Sequence, residues 1–336
     1  MSTNGDAAVK VVPVRHVGQW IGSAFLVLFV AMLIHTIFSK IPSGARTCRK
    51  LAGKYECQAI LKWRFGWNDI FHYFTNDLVL KWLLITLELT ALAMFIGIVL
   101  GVLVAIMRLS HSRLLSGAAW TYTWVFRGTP VYVQILMWGA IAFLYPKLAI
   151  GIPFTHIYLV QFGANTVFTL FNAAVMALGL NEGAYFSEIV RSGLIAVDEG
   201  QTEAAMSLGM SRGQTLRHVV LPQALRVIIP PTGNEVISML KTTSLVSAIA
   251  VVDLLGAVTN IYNQTYQIMP MLIMASLWYL IVSTILSIGQ FYVERHFARG
   301  ALRTQPPTPI QRLRRDLRGI ASKFRTKRGV QVGARP

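Results

Sequence analysis

The amino-acid sequence predicts an all-α membrane protein, and three observations lead there. Hydrophobic residues fill 54% of the 336 positions and charged residues only 13%, whereas a soluble chain carries roughly a quarter charged residues. Six apolar runs are long enough for a bilayer-crossing helix, which needs about 20 predominantly apolar residues. The 31 lysines and arginines outnumber the 14 acidic residues, for a formal charge of +17, and they gather chiefly between and after the apolar runs. Such a basic balance also suits nucleic acid. Its densest cluster, 295–335, offers only Phe297 and Phe324 for base stacking, so no nucleic-acid partner is expected.

The runs extend over Val17–Phe38, Leu78–Met107, Gly117–Tyr145, Asn165–Leu194, Ile228–Val258 and Ile268–Val293. Lys10 and Arg15 precede the first, as in a secretory signal, but the run is too long for an h-region and no small-x-small cleavage site follows. It is read as a retained anchor. Six crossings put both termini on one side, and the basic tail makes that side cytoplasmic. The short connection with Arg108 and Arg113 and the longer one from Ile195 to Arg226 then face the cytoplasm too. One loop dissents: Arg46, Arg49, Lys50, Lys54 and Lys62 fall outside by this count. Either the later crossings outvote that loop or the first run does not cross. Cys48 and Cys57, the chain's two cysteines, lie in the same loop. They form either a small-loop disulfide or two reduced thiols, and two ligands are too few for a structural zinc. Gly97 and Gly101 make a small-xxx-small pair that lets a neighbouring backbone approach. After Arg299, Pro306, Pro307 and Pro309 lead into dense Arg and Lys, a solvated or lipid-facing extension.

The most informative stretch is 198–230, DEGQTEAAMSLGMSRGQTLRHVVLPQALRVIIP. Asp198, Glu199 and Gln201 stand where a helix would begin, and acidic groups are favoured against the positive end of its dipole. Ala204, Ala205 and Met206 continue a short helix that Gly209 can stop, because glycine tolerates the left-handed conformation of a tight end. A second short helix, Ser211–Val220, should follow and break at Pro222. The product is a helix-turn-helix elbow able to enter a groove on a partner.

This stretch resembles the permease subunits of bacterial ATP-binding-cassette importers. Their signature is Glu-Ala-Ala, three residues, Gly, nine residues, an aliphatic residue, one residue, then Leu-Pro. Here Glu203, Ala204, Ala205, Gly209, Val219, Leu221 and Pro222 stand at those spacings, with Val219 in place of the usual isoleucine. Flanking segments are similar to the polar amino acid uptake group (histidine/glutamine/arginine-type permeases). They are Phe126-Arg127-Gly128-Thr129-Pro130 with Val133-Gln134, Gly183-Ala184-Tyr185 with Ser187 to Arg191, Gly233-Asn234-Glu235 with Ile237-Ser238, and Lys241 to Val246. In the last, many relatives have Asp at the position of Thr242. The likeness runs from about Phe65 to Arg295.

The resemblance implies a type I importer bundle of five core crossings, to which the first run adds one N-terminal helix, in the cytoplasmic membrane of a bacterium with both termini inside. It divides the chain into an anchor with an extracytoplasmic loop, 1–77, a transport domain, 78–294, with its coupling loop at 195–228, and a basic cytoplasmic tail, 295–336. It also implies three partners: a cytoplasmic ATPase dimer, an external solute-binding protein, and a second permease, either an identical copy or a paralogue. The chain has no Gly-x-x-x-x-Gly-Lys-Ser/Thr loop, so ATP and Mg belong to the ATPase and this chain is expected to bind no cofactor. Glu203, Ala204, Ala205, Gly209, Leu221 and Pro222 would couple to that motor, Glu203 as a charged contact or a local cap.

Ionisable groups inside crossings are costly and usually face protein or water. Glu88, Arg127, Glu182, Glu188, Arg191, Glu235, Lys241 and Asp253 fall within or near the runs, some to line a pathway and others to pair. Asn234, Glu235 and Ser244, with Glu88 and Arg127, are the pathway candidates, since an amino acid zwitterion needs an acceptor for its ammonium and donors for its carboxylate. Secondary transport is disfavoured by the elbow and by the lack of an inverted repeat. Enzymatic chemistry is disfavoured because the seven histidines are scattered without metal-ligand spacing and no Gly-x-Ser-x-Gly elbow occurs. An export permease would share the architecture without a binding protein.

Overall fold

A computed structural model of the chain describes residues 17–51, 54–145, 147–151 and 158–297. The basic tail beyond 297, residues 1–16 and the side chains of 41–63 lie outside the described residues, and with them the readings of the tail and of a Cys48–Cys57 bridge. Two compact units divide the chain, Met1–Asp77 with Val258–Met274, and Leu78–Ala257 with Ala275–Pro336.

In the first unit, α1 (Val17–Ile37) exposes apolar side chains from Phe25 onward. The loop expected after it is a β-hairpin, β1 (Lys40–Leu51) and β2 (Lys54–Trp63), with Cys48 directly opposite Cys57 in the register. In β2, Tyr55, Cys57, Ala59, Leu61 and Trp63 alternate with Glu56, Gln58 and Lys62, Ile60 being the one exception, which is the period of a strand. Helix α2 (Trp67–Phe74) follows Gly66, which has φ 60°. Trp67 stacks on Phe38 at 5.4 Å, and its indole N–H donates to the Ile37 carbonyl at 3.1 Å, satisfying a helix-end acceptor.

The second unit is helical apart from one hairpin. Its elements are α3 (Asp77–Arg108), α4 (Arg113–Gly128), α5 (Val131–Leu144), the hairpin β3 (Lys147–Gly151) and β4 (Tyr158–Gly163), the short α6 (Ala164–Val167) and α7 (Leu170–Ile195). They continue with α8 (Glu199–Ser207), α9 (Arg212–Thr215), a π turn over Leu216–Val220, α10 (Leu221–Thr242) and a 3-10 segment Thr243–Ile249. Then come α11 (Leu254–Thr265) and α12 (Ile268–Phe297), each of which also contributes residues to the first unit. Among the described residues, α3 and α12 are alone long and apolar enough to cross a bilayer, and the segment Arg212–Ile249 with α11 passes the same test as a span bent by 50°.

Helix α7 is the hub. Its Ala174, Ala177 and Leu178 are fully buried against Leu89 and Ala93 of α3, Ile135 of α5 and Met239 of α10, while Phe186 and Val190 meet Ala105, Ala224 and Ile228. The Gly97–Gly101 pair serves this packing, because a Cβ at either position would collide with Glu182 or Phe186 of α7.

Two expected runs are broken. Gly117–Tyr145 is not one helix: Thr129 is extended (φ −113°, ψ 142°) because the ring of Pro130 disfavours the helical region in the residue before it. Ile228–Val258 begins earlier, at α10, and is interrupted at Ala250 in the left-handed region (φ 59°). Pro230 and Pro231 lie inside α10 without ending it.

Candidate functional site

The elbow forms as its capping residues dictate. Asp198 accepts from the N–H of Gly200 at 2.8 Å and starts α8. Gly209, at φ 83°, stops it, and Met210 N–H returns to the Ala205 carbonyl at 3.2 Å. Ser211 and Gln214 then make a reciprocal capping box at the start of α9, with Ser211 N–H donating to Gln214 Oε1 at 2.8 Å.

The expected break at Pro222 does not occur. Helical winding runs on from Arg212 through the π turn into α10, and Leu221 N–H bonds the Leu216 carbonyl, one residue further back than in an α-helix. The wider turn lies just ahead of the proline, which lacks an N–H and would crowd a regular preceding turn. Ala205 is buried, whereas Glu203, Ala204, Gly209, Leu221 and Pro222 are exposed. Glu203 has no hydrogen bond or ion pair among the described residues, and the cap of α8 is Asp198. Met206, Leu208, Leu216 and Leu221 are exposed as well, Leu208 by 84%.

A cavity of about 610 Å³ opens beside the α4–α5 break. The break brings Arg127, Thr129 and Pro130 to it, α7 brings Asn181, Glu182 and Tyr185, and α10 brings Glu235, Ser238 and Thr242. Its shape depends on a small polar network. In an unbroken helix the Phe126 carbonyl would accept from residue 130, but Pro130 has no N–H. Two side-chain amides replace it, Gln134 Nε2 at 2.9 Å and Asn181 Nδ2 at 3.0 Å. Gln134 also donates to the Thr129 carbonyl and hydroxyl at 3.1 and 2.8 Å, and Thr129 donates to the Val125 carbonyl at 2.9 Å. Asn181 donates to Gln134 Oε1 at 3.2 Å, which ties the break to α7.

The Arg127 guanidinium lies over the Tyr185 ring, 5.2 Å from its centre. Glu182 is 4% exposed, and its Oε1 has no hydrogen-bond partner among the described residues. The cavity therefore combines one guanidinium with two carboxyl groups, Glu182 and Glu235, and amide and hydroxyl groups around them. A guanidinium suits a carboxylate, and carboxyl groups suit an ammonium.

The other sequence candidates lie elsewhere. Asn234 is exposed and accepts from Gln290 Nε2 at 3.1 Å. Ser244 donates to the Lys241 carbonyl at 2.7 Å, and Glu88 is exposed on α3. Glu188 pairs with Arg108 and Arg191. Asp253 is fully buried, accepting from Gly256 N–H at 2.8 Å and from the Tyr279 hydroxyl at 3.3 Å, which makes it the cap of α11. Asn181 was not singled out by sequence. The signal that points to it is the proline at 130, which leaves a carbonyl needing a donor from elsewhere.

Residues 97–299 match the family of binding-protein-dependent transport system inner membrane components. The arginine transport system permease protein ArgU of Corynebacterium glutamicum is 42% identical over 304 residues, 90% of this chain and 87% of that one. The L-cystine transport system permease protein TcyB of Bacillus subtilis is 36% identical, over 64% of this chain and 84% of that one. Among solved structures, an amino acid ABC transporter crystallised with histidines matches at a TM-score of 0.56 and 35% identity, covering 68% of this chain and 97% of that one. The MetNI methionine ABC transporter, at 18% identity and a TM-score of 0.53, shares the fold. The chain is thus a permease of the type I ATP-binding-cassette importer fold, and it belongs to the family of binding-protein-dependent transport system inner membrane components.

Proposed function

We propose that this chain translocates polar amino acids, with cationic ones such as arginine preferred, through the cavity beside the α4–α5 break. The observation that carries the reading is the pairing of Arg127 with Glu182 and Glu235 in one cavity. Arg127 would take the substrate carboxylate, one carboxyl group its α-ammonium, and the other a second positive charge. The name of the relative that transports arginine supports the same choice.

The energy would come from a separate cytoplasmic ATPase dimer that holds ATP and Mg, this chain binding no cofactor and catalysing no reaction. The exposed apolar side chains of the elbow and the unpartnered Glu203 support docking there. Closure of the ATPases would draw two elbows together and rock two permeases, identical or paralogous, between inward-open and outward-open states. An external binding protein would deliver the solute. Six crossings fit this scheme: α1, α3, the broken α4–α5 run, α7, the bent α10–α11 pair and α12. Domain limits at 1–77, 78–294 and 295–336, with both termini cytoplasmic, follow from it.

The test is uptake into liposomes holding permease, ATPase and binding protein, over arginine, lysine, histidine, glutamine and glutamate. Arginine and lysine should accumulate with ATP. Glu235→Gln, which keeps shape and removes charge, should weaken arginine uptake by about tenfold or more, as expected for one charge-assisted hydrogen bond. Glutamate uptake equal to arginine uptake, or an unaffected Glu235→Gln, would sink the reading.

A further inference from the structure

Arg108, Glu188 and Arg191 play no part in the translocation scheme. Arg108 ends α3, and Arg191 lies one turn before the end of α7, where the chain leaves for the elbow. Glu188 accepts from Arg191 Nε at 2.8 Å and faces Arg108 Nη2 at 3.4 Å. Two guanidiniums against one carboxylate leave a net positive charge. Each guanidinium carries five N–H donors in a planar fork, and each gives one nitrogen to Glu188, so most of these donors have no acceptor among the described residues. Both side chains keep access to solvent, at 19% and 33% exposure.

A pocket of about 400 Å³ opens over these two arginines, lined also by Leu109, Ser116, Gly117 and Trp120. The Ser116 hydroxyl donates to the Arg108 carbonyl at 3.3 Å, which holds the start of α4 against the end of α3. The rim is apolar and aromatic. Trp120 stacks on Trp124 at 6.0 Å with both rings exposed, and Leu109, which also lines the pocket, is exposed. Tryptophan gathers at the membrane–water boundary, and this rim stands at the end of the long apolar helix α3. The floor therefore offers guanidinium forks of the geometry that binds phosphate, and the rim offers a surface for acyl chains.

We propose that this pocket binds a phosphate group, presented by the headgroup of an anionic phospholipid. A phosphate free in solution has the same chemistry toward the arginines but makes no use of the rim. The inference goes beyond the transport reading and stands or falls without it.

The test uses the full-length permease with its ATPase partner, equilibrated with phosphatidylglycerol or phosphatidylcholine and weighed intact by native mass spectrometry. Phosphatidylglycerol should be retained in preference to phosphatidylcholine. Arg108→Gln and Arg191→Gln should each cut that retention by about tenfold, the loss of one charge-assisted contact. Glu188→Gln, which removes the competing carboxylate, should retain the lipid as well or better, an effect that misfolding would not produce. Arg113→Gln, a nearby charge outside the pocket, should leave retention unchanged. A second arm adds inorganic phosphate alone and reads thermal stability. Stabilisation by phosphate through the same two arginines, with no lipid preference, would overturn the lipid assignment and give the site to a soluble anion. Equal losses for Arg113→Gln and the pocket variants would reduce the effect to diffuse surface charge and overturn the site.

Discussion

The carbonyl of Phe126 shows how one residue type creates a need that others must meet. Pro130 removes the N–H that would have served this carbonyl, and the amides of Gln134 and Asn181 converge on it from two other helices. Gln134 is 5% exposed, so water is a poor substitute. Gln134→Leu, nearly the same size, should cost about 1–3 kcal/mol, the usual penalty for stranding a buried polar group. Asn181→Leu should cost a similar amount. Because both amides serve one acceptor and each other, the double variant should depart from additivity. Unfolding of the detergent-solubilised permease, followed by thermal or denaturant melts of the four proteins, measures this. Strict additivity would show that the two amides act separately.

At the scale of elements, the elbow is where sequence and structure agree most closely, and the reason is local. Asp198, Gly209 and Ser211 act on their own backbone within a few residues, so their roles are legible without knowing the rest of the fold. Gly209 is the angle-setting residue: its φ of 83° is open to glycine and strained for most others, and a Cβ there would meet nothing within 4 Å. A substitution therefore acts through backbone strain alone. Gly209→Val should cost about 1–3 kcal/mol locally and move α8 relative to α9. Gly209→Asn, which tolerates the left-handed region, should keep the angle. The expected outcome is ATP hydrolysis uncoupled from uptake in the valine variant and near-normal coupling in the asparagine variant, with equal membrane insertion. Normal uptake by Gly209→Val would remove the elbow from the coupling scheme.

The misread elements share the opposite property. The helical winding through Pro222 rests on a change of hydrogen-bond register in the π turn ahead of it. The halving of the Gly117–Tyr145 run at Pro130 is stabilised by a partner residue 47 positions beyond Gln134. The cavity is assembled from the α4–α5 break, α7 and α10, which lie far apart in sequence. Arg127 and Glu235 were legible as charges in apolar surroundings, while Asn181, Tyr185, Ser238 and Thr242 gained a site meaning only once α4, α7 and α10 were brought together.

For the whole molecule, the balance is between the basic loop after α1 and the basic residues of the later connections and the tail. The hairpin β1–β2 carries Arg46, Arg49, Lys50, Lys54 and Lys62, which alone would keep it inside. Against it stand Arg108 and Arg113, the elbow with Arg212, Arg217 and Arg226, and a tail in which Arg312, Arg314, Arg315, Arg318, Lys323, Arg325, Lys327 and Arg328 follow one another closely. Juxtamembrane basic residues are worth about 1 kcal/mol each near an anionic leaflet, so the larger group should fix the orientation and carry the hairpin outward. The chain has only two cysteines, Cys48 and Cys57, both in the hairpin, and they serve as built-in reporters. After mild reduction of intact cells, a membrane-impermeant maleimide should label them. With both replaced by serine, a cysteine introduced by Arg325→Cys should react only once the cells are permeabilised. Labelling of the hairpin cysteines only after permeabilisation would place the loop inside and leave α1 short of crossing.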